Sequence, residues 1–146
     1  MNYLKRAVEL SKASFDAGMF PAGAVLVTAS GTTYDSGPSV AHNHGESSVV
    51  DQAVESEGLP LKGATIYASM HPCIMCSAKM YWAGVRNVEF VIPKSAVNTE
   101  YAYENNEDVD ALVATFHEPV IMIEKPELFD EAISHYNDWV RKIESA

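Results

Sequence analysis

The residues in this chain whose types and spacing suit chemistry are few. Cys73 and Cys76 are its only two cysteines, in the run Met70-His71-Pro72-Cys73-Ile74-Met75-Cys76. Three residues apart at the start of a helix, two thiolates point to one side and can clamp one metal ion. His44, 29 positions before Cys73, offers a third ligand, and Glu46 sits two residues beyond it, beside the metal without needing to bind it. Three protein ligands leave a tetrahedral ion one open position, the arrangement of a catalytic zinc. Zinc lowers the pKa of bound water from 15.7 to about 7, which makes hydroxide available at neutral pH. Glu46 is placed to accept that water's proton and pass it on. The set suits hydrolytic attack on an amidine-like carbon, with Glu46 protonating a ring nitrogen and then the departing amine.

Plainer readings stand beside this one. A Cys-x-x-Cys after a strand also fits a thioredoxin-like redox pair, which explains neither His44 nor Glu46. Asn43-x-x-Glu46 fits a capping box, with Glu46 as a structural residue. His42 could complete a four-ligand structural zinc site, although structural sites favour three to five residues between histidines. His71 could hydrogen-bond a substrate or cap the helix that follows. His117 and His135 are expected to carry no chemistry, and Met70, Met75 and Met80 to pack.

These residues need elements to hold them. Asn2 to Ala17 reads as a helix, with Leu4, Val8, Ser11 and Phe15 on one stripe and Ala7 beside them. Ala24–Thr28 is a short apolar strand, Ser30-Gly31 a turn, and Thr32–Asp35 a returning strand. A second helix starts near His44, with Val49, Val50, Ala53 and Val54 on one face, and Gly58-Leu59-Pro60 ends it. Ala64–Ala68 is a third strand. Pro72 fits the first turn of a third helix running to about Trp82, closed by Gly84. Asn87–Ile92 and Val120–Ile123 are strands, and Pro126 opens a last helix with Phe129, Ile133, Tyr136, Val140 and Ile143 as its apolar stripe. The stretch 95–115 reads as broken helix. Within it, 98–110 holds five acids, no base, and Tyr101 and Tyr103; it suits either a solvated segment or a lid whose tyrosines stack on a flat ring. This alternation argues for one sheet with helices on both faces.

The chain has 146 residues, 47% of them hydrophobic, which suits a single domain over 1–146 with an ordinary core. Two cysteines in one local motif make no disulfide framework and fit a reducing compartment. With no secretory signal and no membrane-length apolar run, the expected location is cytoplasmic. The net charge is −10, from 20 acids against 10 bases, and the bases are scattered. A nucleic-acid partner calls for a basic stripe, so a small neutral substrate is the expected partner.

His44-Gly45-Glu46 followed by Pro72-Cys73-Ile74-Met75-Cys76 resembles the zinc-binding signature of the cytidine and deoxycytidylate deaminase superfamily. The resemblance extends over the first helix, the Pro21-Ala22-Gly23-Ala24-Val25 entry to the first strand, and Trp82-Ala83-Gly84-Val85. It is nearest the short members that deaminate guanine, cytosine or the wobble adenosine of tRNA. It implies a three-layer α/β/α fold with a five-stranded mixed sheet in the order 2-1-3-4-5. It also implies one zinc ion on His44, Cys73 and Cys76, proton transfer by Glu46, and a homodimer. Deamination of a free nucleobase or similar aminated heterocycle is the implied activity, with tRNA adenosine deamination and a non-enzymatic zinc domain as alternatives. Substrate contacts are expected from Ala22, Ser39, the Gly45 backbone N–H and His71. The sequence departs from the pattern in three places. Glycine stands between His44 and Glu46 where most relatives have alanine. The segment before His44 is shorter, so Ser39 falls nearest the place of an asparagine that contacts substrate in relatives. His71 stands where relatives often have glutamate.

Overall fold

The structure is a computed structural model that describes residues 2–97, 99–101 and 109–146. Five strands form one mixed sheet in the order β2-β1-β3-β4-β5. They are β1 (Ala24–Val27), β2 (Thr33–Asp35), β3 (Thr65–Met70), β4 (Asn87–Ile92) and β5 (Ile121–Glu124). β1 runs antiparallel to both β2 and β3, whereas β3–β4 and β4–β5 are parallel. Parallel neighbours need crossovers. Those are supplied by α3 (Ile74–Ala83) and, between β4 and β5, by a stretch that includes α4 (Val109–Val113). The remaining helices are α1 (Tyr3–Asp16), α2 (Gly45–Glu57) and α5 (Phe129–Glu144).

Strand side chains alternate, so each face of the sheet builds its own core. Leu26, Ile66, Ala68, Val88 and Phe90 pack with Val49, Val50 and Ala53 of α2 and Met80 and Ala83 of α3. On the opposite face Val91 packs with Val8 of α1 and Ala132 of α5, and Ile92, the last residue of β4, joins the same cluster at the strand's end. The layers are therefore α/β/α, as the sequence pattern implies.

Several local expectations need correction. Pro72 lies outside α3 rather than in its first turn, because Cys73 is the N-cap and its sulfur accepts from the Cys76 backbone N–H at 3.4 Å. Asn43 caps nothing: α2 begins at Gly45 with His44 as N-cap, so the capping-box register is off by one. On α1 Ser14, not Phe15, is buried, and its hydroxyl donates to Phe20 O at 2.6 Å and accepts from Ser39 N at 2.9 Å. Pro126 opens a separate 3-10 turn, Pro126–Leu128, ahead of α5. The broken helix expected over 95–115 is, by contrast, what its described part shows: short 3-10 turns at Lys94–Ala96 and Thr99–Tyr101, then α4. Much of the expected lid, Tyr103 included, lies outside the described residues. Among them no helix is long and apolar enough to cross a membrane.

Candidate metal centre and its surroundings

The site is built from two helix N-termini. α2 follows β2 and α3 follows β3, so both starts lie at one edge of the sheet. His44 is the N-cap of α2 and Cys73 the N-cap of α3. Cys76, three residues into the second helix, turns back onto the same side. His44, Cys73 and Cys76 converge, with their ligand atoms all within 4.8 Å of one another. Among the described residues they are the one cluster of metal-ligating type. His42 is exposed and lies outside it, so nothing described closes a fourth protein ligand.

The donor geometry fits zinc. His44 Nδ1 lies 3.4 Å from Cys73 Sγ and 3.6 Å from Cys76 Sγ. A tetrahedron with Zn–S near 2.3 Å and Zn–N near 2.0–2.1 Å has N···S edges of about 3.6 Å. The tautomer fits as well. His44 Nε2 lies 3.0 Å from Ala41 O, so Nε2–H donates to that carbonyl, and loss of the Nδ1 proton to a bound metal would leave the Nδ1 lone pair facing the sulfurs' side.

Charge is arranged to match. Hydrogen bonds from the Cys76 side chain and His44, with the Cys76 backbone N–H, pull the Cys73 thiol down to about 4. The Cys76 thiol goes up, because it gives its proton toward Cys73 and is buried. His44 goes up through its hydrogen bond with Cys73. The two sulfurs thus hold one negative charge readily, and a dication is what lets both ionise. Glu46 is 3% exposed, and burial pushes its carboxyl up to about 7, within reach of the charges on Cys73 and His44. A carboxyl poised near neutrality suits proton transfer in both directions.

Of the other expected site residues, Ala22, Ser39 and His71 lie on the segments that lead into β1, α2 and α3. Gly45, the first residue of α2, packs on the entry to β1: a Cβ there would meet Ala24 N and Gly23 C, each at 3.2 Å. Ala22 is buried one residue before that contact. Ser39 is buried and bridged to Phe20. His71 follows β3, with Nδ1–H donating to Pro72 O at 2.9 Å, Nε2 at 3.4 Å from Asp110 Oδ1, and its ring edge-on to Phe90. Tyr101 donates to Glu144 at 3.0 Å and meets Trp139 edge-on. His117 is exposed, and His135 is buried against Ser11 Oγ at 3.2 Å. The Ala41 carbonyl, Ser47 and Asp110 are contacts that the sequence reading does not name. Only Ser47 carries a signal, its i,i+3 spacing from His44 on one helix face.

Fold and site together define an α/β/α protein with a three-donor metal site at two helix N-termini and a buried carboxyl beside it. The cytidine and deoxycytidylate deaminase zinc-binding region matches residues 1–92, well over half of the sequence, and the chain belongs to that family. A probable cytosine deaminase of Schizosaccharomyces pombe (strain 972) is 29% identical over 96 residues, covering 60% of this chain and 57% of that protein. A tRNA-specific adenosine deaminase of Bacillus subtilis (strain 168) is 33% identical over 101 residues, covering 60% and 58%. The chain spans less than three fifths of the length of either relative. Among solved structures, a guanine deaminase from Nitrosomonas europaea superposes with a TM-score of 0.70 at 18% identity over 94% of this chain and 82% of that one. A tRNA wobble-position A34 deaminase gives 0.72 at 22% identity over 91% and 97%. At these identities the likeness establishes the fold.

Proposed function

We propose that residues 1–146 form a single zinc-dependent deaminase domain that hydrolyses the exocyclic amine of a free nucleobase or similar aminated heterocycle, of guanine or cytosine type. Water is consumed, a ring carbonyl replaces the amine, and ammonia leaves. The observation that carries this reading is the three-donor set His44, Cys73 and Cys76 with Glu46 buried beside it. A structural zinc site has no use for a carboxyl that is costly to ionise.

Zinc held by these three residues supplies a Lewis acid that readies water for attack at neutral pH. The chain's own part is proton movement and placement. Glu46 takes a proton from the attacking water and gives it to the ring nitrogen; it then takes the proton of the hydroxyl newly bonded to the ring carbon and gives it to the departing amine, as the ring carbonyl forms and ammonia leaves. The Gly45 N–H, in the first turn of α2, is a helix N-terminal donor without an intrahelical partner, and we assign it a substrate carbonyl. Ala22, Ser39 and His71 line the substrate side in this reading, with Asp110 steadying His71. The two thiols require a reducing compartment, which the cytoplasm supplies. A homodimer is part of the same proposal, through the exposed apolar side of α3.

A second reading has one observation in its favour. The relative at 33% identity is a tRNA-specific adenosine deaminase. The net charge of −10 opposes it, since phosphate contacts dominate nucleic-acid affinity. An ammonia-release screen tests both. Purified zinc-loaded protein is given guanine, cytosine, aminopterins, aminotriazines and a tRNA anticodon stem-loop. Turnover of a free base with none on the stem-loop supports the proposal. Turnover on the stem-loop alone replaces it, and none on any member ends it.

A further inference from the structure

The two site helices are built alike. α3 presents its N-cap and the third residue after it, Cys73 and Cys76, and α2 presents its N-cap and the third residue after it, His44 and Ser47. Residues three apart share a helix face, so Ser47 faces the site as Cys76 does. Its hydroxyl oxygen lies 3.1 Å from Cys76 Sγ. Ser47 is 1% exposed and Cys76 0%, so no bulk solvent reaches this contact.

We infer that Ser47 is a positioning residue for the metal centre, donating its hydroxyl proton to the Cys76 thiolate. This rests on the reading of His44, Cys73 and Cys76 as zinc ligands. A thiolate bound to a cation has no proton to give, so in this contact only Ser47 can donate. A buried anion left without a donor is costly, and a short hydrogen bond in a low-dielectric site is strong. Cys73 has the Cys76 backbone N–H at 3.4 Å, whereas the Cys76 sulfur faces the hydroxyl of Ser47 at 3.1 Å and also meets the Glu46 carboxyl, which Ser47→Ala leaves in place. Outer hydrogen bonds of this kind orient ligands and tune the metal, and losing one typically weakens metal affinity about 10–100-fold. The bond also draws electron density from sulfur. Its removal raises the energy of the sulfur lone pairs and brings thiolate-to-metal charge transfer to lower energy.

The test uses the full chain loaded with cobalt(II) in place of zinc, for its optical bands, and zinc titration against a chromophoric chelator. In Ser47→Ala the thiolate-to-cobalt band moves to longer wavelength and zinc binds at least tenfold more weakly. Ser47→Thr, which keeps the hydroxyl, restores both. Ser48→Ala is the control, because the Ser48 hydroxyl donates to Gly45 O at 3.0 Å and not to sulfur; its band and affinity stay as in the parent. A Ser47→Ala protein with an unmoved band and zinc affinity within twofold overturns the inference. If Ser47→Ala does not fold, Ser47→Thr decides: a parental band supports the bond, and a shifted band with weakened zinc binding overturns it. A parent chain with no cobalt–thiolate band at all ends the zinc reading itself, a separate result.

Discussion

Glu46 occupies a place where a carboxylate is hard to keep charged. It is walled off from water, and its carboxyl titrates near 7 because ionising it there forfeits hydration. Glu46→Gln keeps the shape and removes the titration. We expect one zinc per chain as in the parent and turnover lowered at least about 100-fold, the lower range for a lost general acid–base group. Metal analysis beside an ammonia assay checks this, and an active Glu46→Gln protein removes the assigned role. The sulfurs and the imidazole give a second expectation. The folded site raises the Cys76 and His44 values, so each holds its proton to higher pH than a free side chain. Zinc must displace those protons. Affinity therefore rises with pH, by about tenfold per unit for each proton displaced. Chelator competition at pH 6, 7 and 8 measures the slope, and a flat profile contradicts the ligand set. The three candidate donors are legible in the sequence because cysteine and histidine are rare and their chemistry is narrow, and the fold brings them together. Ser47 and the Ala41 carbonyl are not, because a hydroxyl or a carbonyl means something only once its neighbour across the site is known.

At the scale of elements the site depends on how closely α1 and α2 approach the start of β1. A Cβ on Gly23 would lie 2.3 Å from Ala7 O and 2.5 Å from Ser11 N, both backbone atoms of α1. Main chain cannot swing aside as a side chain can, so the helix itself must move. A Cβ on Gly45 meets nothing nearer than 3.2 Å. Gly23→Ala is expected to cost about 1–3 kcal/mol, the range for overpacked interiors, and Gly45→Ala less than half as much. Denaturant midpoints of the two variants rank them, and equal losses would show that α1 is not clamped on Gly23. The sequence shows the strands and helices well, since the period-2 and period-3.6 patterns come from burial on the two faces of one sheet. It misplaces helix starts by one to three residues. Pro72 and Asn43 are both residues that favour the first turn or the cap, but the N-cap positions are held by Cys73 and His44. It also prefers Phe15 to Ser14 on α1, because hydropathy does not foresee a serine buried to tie Phe20 and Ser39 together.

Among the described residues, one side of α3 beside the candidate metal site carries exposed large apolar side chains. Ile74, Ala78 and Trp82 are spaced four apart on α3, with Met75 beside them. Trp82 is 85% exposed, and Ile74 and Met75 are exposed as well. A row of large apolar side chains in water is the mark of an interaction surface. Here the row begins at the residue after Cys73, so whatever covers it also borders the candidate metal site. A second copy of the chain, docked through the same side of its own α3, satisfies both requirements with one symmetric contact. Sedimentation velocity at micromolar concentration is expected to give twice the 15.9 kDa of the chain. Trp82→Arg places a charge at the centre of that contact and should yield monomers with zinc content unchanged, since Trp82 is not a ligand. If the second copy completes the pocket, these monomers lose turnover while keeping the cobalt–thiolate band of the parent. Monomers that turn over normally would separate assembly from catalysis, and a Trp82→Arg protein that still sediments as a dimer would place the contact elsewhere. A parent chain that sediments at its own mass leaves Trp82 facing solvent and removes the homodimer from the proposal.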